Sequence, residues 1–324
     1  MSGCTEFSIS KPATSADKAF RFSDYLAPRH WPTWAGLSAI WLFSRLSFDR
    51  QLGAGRQLGK LLYHALPSRR RVCLTNLQIA FPDLDEASRI RLAKRVYMHL
   101  GYSIAEMASL WFRPIREFDD RVTLIGREHV EAAWADGRGV ILLQAHFSTL
   151  ELCGSWLARE LGERCCAVYD NPKNPLYAAL LRAKRARYVN TLIENTDIRK
   201  MVRRLRKGDL VWYSPDQAVK RRNGGIDTLF FGRQVLTTPG TSRIASMTNA
   251  VILPYCAVRD RSRPGHYILT IRPPVDGLAS GDAAADTNAM NQLFEEQIRR
   301  FPAQYFWVHK RFKRADKSQP DPYA

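Results

Sequence analysis

The folds open to this chain are limited most by an alternation that begins at residue 122, where short apolar runs of strand length take turns with stretches of helical periodicity. The strand-like runs lie at 122–125, 140–143, 166–169, 210–213, 229–231, 251–258 and 267–271; helical patterns lie at 151–161, 175–187, 198–206, 241–248 and 287–300. Short apolar runs bounded by Gly-containing or polar turns read as buried strands. Interleaved with helices, they predict an α/β fold: a central, mostly parallel sheet flanked by helices.

Upstream the pattern changes. Ile90, Ala93, Tyr97, Leu100 and Ile104 recur at helical spacing within a region, 51–112, that has few β-branched alternations. Pro82-Asp83 marks a turn, and the acids from Asp85 onward suit a helix start. The expected division is an N-terminal tail at 1–29, a membrane-interface or transmembrane segment at 30–48, a helical region at 49–120 and an α/β core at 121–324, with 49–324 forming one compact unit.

Segment 30–44, HWPTWAGLSAIWLFS, is uncharged, holds three tryptophans and is flanked by Arg29 and Arg45. Spanning a bilayer takes roughly 17–25 apolar residues, so a span would have to run past Arg45 to Phe48, with that arginine snorkelling. Tryptophans bracketed by arginines suit the membrane interface; a buried core helix is the other reading. The first thirty residues lack the order of a secretory signal. Arg69, Arg70 and Arg71 follow the segment, and the positive-inside tendency puts the bulk of the chain on the cytoplasmic side. The six cysteines, at 4, 73, 153, 165, 166 and 256, form no C-x-x-C pair, so free thiols and no metal site are expected.

Composition excludes disorder, since 45% of the residues are hydrophobic and 11% aromatic. It does not choose a partner. With 49 Lys plus Arg against 31 Asp plus Glu, the net charge of +18 fits nucleic acid, an anionic membrane, or an acidic protein or phosphorylated lipid. The cations are spread along the chain and no nucleic-acid motif with interleaved aromatics stands out, which weighs against the first.

Chemistry concentrates at residues 139–151, GVILLQAHFSTLE, where an apolar strand runs into His146 and an acid follows at Glu151. On one continuous helix a five-residue step leaves side chains about 140° apart, so the pair meets only if the chain bends between strand and helix. With that bend, His146 sits in the turn and Glu151 points back from the first helical turns. An imidazole held at Nδ1 by a carboxylate can take a proton from an attacking hydroxyl through Nε2. No G-x-S-x-G elbow is present, which favours direct transfer to a hydroxyl of the substrate over an acyl-enzyme.

Further segments carry a resemblance: His30-Trp31-Pro32-Thr33-Trp34, Asn76-Leu77 with Ala80-Phe81-Pro82, His146-Phe147 through Leu150-Glu151, Asn174-Pro175-Leu176, and Leu205-Arg206-Lys207-Gly208. After them come Val211-Trp212-Tyr213-Ser214-Pro215-Asp216-Gln217, Thr237-Thr238 with Gly240-Thr241, and the run from Gln304 to Lys313, QYFWVHKRFK. From about Phe20 to Lys313 the chain resembles the late lipid A acyltransferases (lauroyl and myristoyl type) of the lysophospholipid acyltransferase superfamily. The resemblance implies a membrane enzyme without a cofactor. It would move a fatty acyl chain from acyl carrier protein to the 3-hydroxyl of an acyl chain on a Kdo-bearing, tetra-acylated lipid A precursor, at the cytoplasmic face of the inner membrane. Both implied partners are acidic, which fits the net charge of +18. A glycerolipid, an aminolipid or another glycolipid is the alternative acceptor, and a basic nucleic-acid-binding protein is the alternative class.

By position in the pattern, His146 and Glu151 are the catalytic pair, with Glu151 fixing the ring's tautomer. Arg185 is an oxyanion donor or a phosphate ligand, with a backbone N–H near the helix start as the alternative oxyanion donor. Asp216 is an organiser of Arg185 or of nearby backbone, or a carboxylate capping a turn. Two readings, a surface for carrier protein or lipid phosphate and a solvated charge run, stay open both for Lys220-Arg221-Arg222 and for Lys310 to Arg314. The chain departs from the family where Tyr169-Asp170-Asn171-Pro172 replaces Tyr-Arg-Pro, where Ala218-Val219-Lys220 replaces acid-Tyr-Gly, and where Ala303 replaces Glu.

Overall fold

A computed structural model describes residues 20–314, 316 and 320–324. Cys4 and most of the expected N-terminal tail lie outside these residues. Seven strands form one sheet: β1 (Val122–Ile125), β2 (Val140–Gln144), β3 (Cys165–Tyr169), β4 (Thr191–Glu194), β5 (Leu210–Tyr213), β8 (Val251–Arg259) and β9 (Tyr267–Ile271), in the order β1-β9-β8-β2-β5-β3-β4. Of its pairings only β8 with β9 is antiparallel; the other five are parallel. Strands β6 (Ile226–Phe230) and β7 (Arg233–Thr237) form a separate hairpin.

Why the middle of the sheet reads as unbroken apolar runs follows from its two covered faces. Every residue of β2 is buried. Ile141 and Leu143 join one hydrophobic cluster and Val140 and Leu142 the other, as the period of two requires. Each such side chain contributes roughly 1.5–3 kcal/mol over its exposed state. Helices α8 (Ile198–Arg206), α9 (Gly240–Thr248) and α10 (Ala283–Arg300) cover the first face; α5 (Arg127–Ala135), α6 (Leu150–Leu161) and α7 (Pro175–Arg185) cover the second.

The helical region comprises α2 (Phe48–Ala65), α3 (Pro67–Ala80) and α4 (Glu86–Phe112). Asp85 caps α4 by accepting the Ser88 N–H at 2.5 Å. Helices α2 and α4 cross backbone to backbone because glycine lines the contact: a Cβ on Gly59 would strike the Tyr97 carbonyl oxygen and lie 2.7 Å from Met98 Cα, and one on Gly101 would strike the Gly55 carbonyl oxygen. Strands β4 and β7 and helix α5 are elements that the sequence pattern did not single out.

Segment 30–44 folds as α1 (Trp31–Phe43), thirteen residues long, and the chain turns before α2 begins at Phe48. The extension to Phe48 that a span would need does not form, and among the described residues no helix is long and apolar enough to cross a membrane. Nor is α1 a core helix, for Leu37 is its one buried residue, while Trp31 and Leu42 are each 62% exposed. The described cysteines 73, 153, 165, 166 and 256 are free and buried.

Candidate active site

Strand β2 ends at Gln144, whose buried side-chain oxygen accepts the Trp212 indole N–H at 2.7 Å. The chain then folds on itself: the Phe147 N–H meets the Ala145 carbonyl at 2.8 Å, and α6 begins at Leu150. His146 therefore sits in a strand-to-helix bend, as the spacing predicted. Its neighbour in the sheet decides what faces it. Strand β5 runs parallel beside β2, pairing Val140 with Leu210 and Leu143 with Tyr213, so Asp216 just past β5 arrives next to His146.

Asp216 is wholly buried and binds that residue twice. One carboxylate oxygen lies 2.5 Å from Nδ1 of the ring, and the other accepts the His146 backbone N–H at 3.0 Å. The second oxygen also accepts the Tyr305 hydroxyl at 2.9 Å. Burial alone would raise the Asp216 pKa, but the imidazole's charge and these hydrogen bonds win and hold it down at about 2. For His146 burial disfavours the charged ring; the charge and hydrogen bond of Asp216 outweigh it, and the pKa ends above the ordinary value. The ring is 29% exposed and no protein group bonds its Nε2 among the described residues.

Two cavities meet at that imidazole. One, about 360 Å³, is largely apolar, walled by Leu100, Ile104, Met107, Leu150 and Phe306, with Glu151 at its edge. The other, about 520 Å³, carries polar and charged groups, Tyr169, Arg185, Asn195, Tyr213 and Lys220, among apolar ones such as Leu181 and Val219. A proton-accepting ring at the junction of a greasy slot and a polar cleft is the arrangement an acyl transfer to a hydroxyl needs.

The family of bacterial lipid A biosynthesis acyltransferases matches residues 20–314. The chain belongs to that family. It is 32% identical over 300 residues to the lipid A biosynthesis lauroyltransferase of Escherichia coli K12, covering 92% of this chain and 96% of that one. To the palmitoleoyltransferase of the same strain it is 30% identical over 290 residues, covering 90% and 94%, and to the myristoyltransferase 26% over 308 residues, covering 95% and 93%. As a member of the family the protein is an acyltransferase of lipid A biosynthesis.

Within this acyltransferase the expected site residues gather at one cleft, but their pairing differs from the expectation. Glu151 does not hold the ring. It grips Arg185, which donates through Nε at 3.2 Å and through a terminal nitrogen to the other carboxylate oxygen. Arg185 comes from the last turn of α7, and the Glu151 charge keeps its pKa raised against the pull of burial. Asp216 organises His146 and not Arg185, because β5 adjoins β2 directly while α7 lies on the side of α6 that carries Glu151. The basic runs are also tied down in part: Arg221 pairs with Asp227 at 2.8 Å, and Arg311 is buried under the hairpin, donating to Thr237 Oγ1 at 2.8 Å.

A buried polar lattice supports the bend of the acyltransferase from below. Arg259 pairs with Glu106 at 2.6 Å and donates to Ser148 Oγ at 2.7 Å, while Ser103 donates to the Ser148 carbonyl at 2.5 Å. Gln304 joins in: its backbone carbonyl accepts the Ser148 N–H at 2.8 Å and its side chain bonds both backbone groups of Arg259. Tyr305, Glu106 and Arg259 received no role from the sequence. The available signals were a carboxylate within the apolar second half of α4 and an arginine closing the apolar run 251–258.

Proposed function

We propose that the protein transfers a fatty acyl chain from the thioester of acyl carrier protein to the 3-hydroxyl of an acyl chain on a Kdo-bearing lipid A precursor. His146 acts as general base at the cytoplasmic face of the inner membrane. The observation that carries this reading is the imidazole pinned at Nδ1 by a buried carboxylate, with Nε2 turned to a cleft that is apolar on one side and polar on the other.

Nε2 takes the proton as the acceptor oxygen bonds to the thioester carbonyl carbon. The tetrahedral intermediate then collapses, the C–S bond breaks, and the thiolate leaves with the proton returned by the imidazolium. Asp216 fixes the tautomer and stabilises the imidazolium throughout. Arg185, aimed by Glu151, supplies positive charge for the oxyanion, a contribution that elsewhere amounts to about 10²–10³ in rate. The apolar slot receives an acyl chain. Exposed Trp31, Trp41 and Leu42 on α1, with Arg45 over the Trp41 ring at 4.6 Å, support a position for that helix at the lipid interface.

Incubating the detergent-solubilised protein with acyl carrier protein donors and a lipid A precursor, then weighing the products, tests the reading. Wild type should add one acyl mass to the precursor and His146→Ala should add none while keeping its fold. Normal turnover in the variant would end the mechanism, and acylation of a glycerolipid instead of the precursor would end the acceptor assignment.

A further inference from the structure

Helix α8, IRKMVRRLR, carries five Arg or Lys in nine residues and no acid. Met201 and Leu205 fasten it to the core, so its cations face outward. Three of them are occupied: Lys200 donates to the Leu192 carbonyl at 3.1 Å, Arg204 pairs with Asp209 at 2.7 Å, and Arg206 donates to the Met247 carbonyl at 3.0 Å. Arg199, Arg203 and, just past the helix, Lys207 are exposed and have no side-chain partner among the described residues. Spaced four apart they form a row on one face, and like charges so placed repel each other, which costs the helix stability.

Beside the row runs a groove of about 570 Å³ along edge strand β4, walled by Arg182, Lys200, Arg203, Arg204, Lys207 and Tyr169. Tyr169 is also a wall of the polar cavity that opens on His146. The cationic groove and the catalytic cleft therefore lie on either side of one buried side chain, Tyr169. Lipid is a poor fit for it. Met201 and Leu205 of α8 are buried in the core and Ile198 is its one exposed large apolar residue, whereas α1 exposes Trp31, Trp41 and Leu42.

We propose that the Arg199-Arg203-Lys207 row and its groove are the docking surface for the acidic carrier protein, which sets its thioester-bearing pantetheine arm beside the neighbouring cleft of His146. The proposal rests on the carrier-thioester donor assigned above. Rows of exposed charge act on encounter and salt dependence more than on chemistry.

The test compares the full-length protein with a triple variant, Arg199→Glu, Arg203→Glu and Lys207→Glu, reading direct binding of a fluorescent acyl-loaded carrier protein and turnover on two donors. The variant should bind the carrier about tenfold or more weakly and lose most of the salt dependence of binding. Its KM for the carrier donor should rise in step, with kcat and turnover of a short acyl-pantetheine thioester unchanged. The charge-keeping changes Arg199→Lys and Arg203→Lys, made on the wild type, should leave binding unchanged. Equal carrier binding by variant and wild type overturns the surface, as does a variant that loses only its affinity for anionic vesicles. Should wild type bind the carrier through this row yet transfer acyl chains from neither donor, the donor reading falls and the docking surface stands.

Discussion

The ring and the backbone N–H of His146 both bond to Asp216, so one carboxylate fixes the orientation of the imidazole from two directions. Because that carboxylate raises the ring's pKa, the neutral base is lost on acidification at a higher pH than for an ordinary imidazole. Asp216→Asn removes the two largest influences that raise the ring's pKa and leaves burial and the Arg185 charge, both of which lower it, against the smaller effect of the Glu151 charge. The acid limb of the rate profile should therefore move to lower pH while the plateau falls about 10²–10⁴-fold. Rates measured from pH 5 to 9 on both proteins check this, and a limb that stays in place or moves upward would contradict it. Glu151 and Arg185 act on one another, so Glu151→Ala and Arg185→Ala should each cost about 10²–10³ in kcat, and the double variant no more than either alone. Multiplying losses would show that Glu151 serves the ring independently. From the sequence, the presence of His146, Glu151, Arg185 and Asp216 at the site was legible, but their pairing was not. Which acid meets the ring depends on β5 lying next to β2, and seventy residues separate the two partners.

At the level of elements, the strand-to-helix bend after β2 and the crossing of α2 over α4 set the geometry of the cleft. The bend was readable where the apolar strand gives way to helical spacing around His146, although the meeting of His146 with Glu151 that argued for it does not occur, since Glu151 turns to Arg185. The crossing was not: periodicity gave the helices but not their close approach, which depends on glycines at matching heights. Gly59→Ala places a methyl group against the Tyr97 carbonyl and Met98 Cα, contacts that backbone cannot yield without the helices parting. Overpacking of this kind should lower stability by about 1–3 kcal/mol. A denaturant midpoint equal to wild type would show that the crossing is looser than described. Since α4 supplies Leu100, Ser103, Ile104 and Met107 to the apolar slot, weaker acyl transfer should accompany the loss.

Over the whole molecule, the net +18 is spread along the chain, while the exposed tryptophans among the described residues, Trp31 and Trp41, both lie on α1 together with exposed Leu42. If that helix lies in the interface, Trp31→Ser should weaken binding to anionic vesicles about tenfold, and Trp41→Ser by a similar amount, without altering the circular dichroism of the α/β core. Flotation of vesicles with each variant measures it, and unchanged flotation would remove α1 from the interface.

By itself the sequence determined what is local: where apolar runs of strand or helix length fall, hence an α/β layering, and which residue types crowd one bend. These follow from periodicity and burial, which are properties of a few adjacent residues. Only the tertiary structure decided which strands are neighbours, and with them that Asp216 and Tyr305 stand behind the imidazole, that Glu151 turns to Arg185, and that Arg259 with Glu106 underpins the bend. The physical reason is that sheet order is fixed by how whole helices pack on two faces at once, a sum of many contacts between residues far apart in the chain, of which no single segment carries a trace.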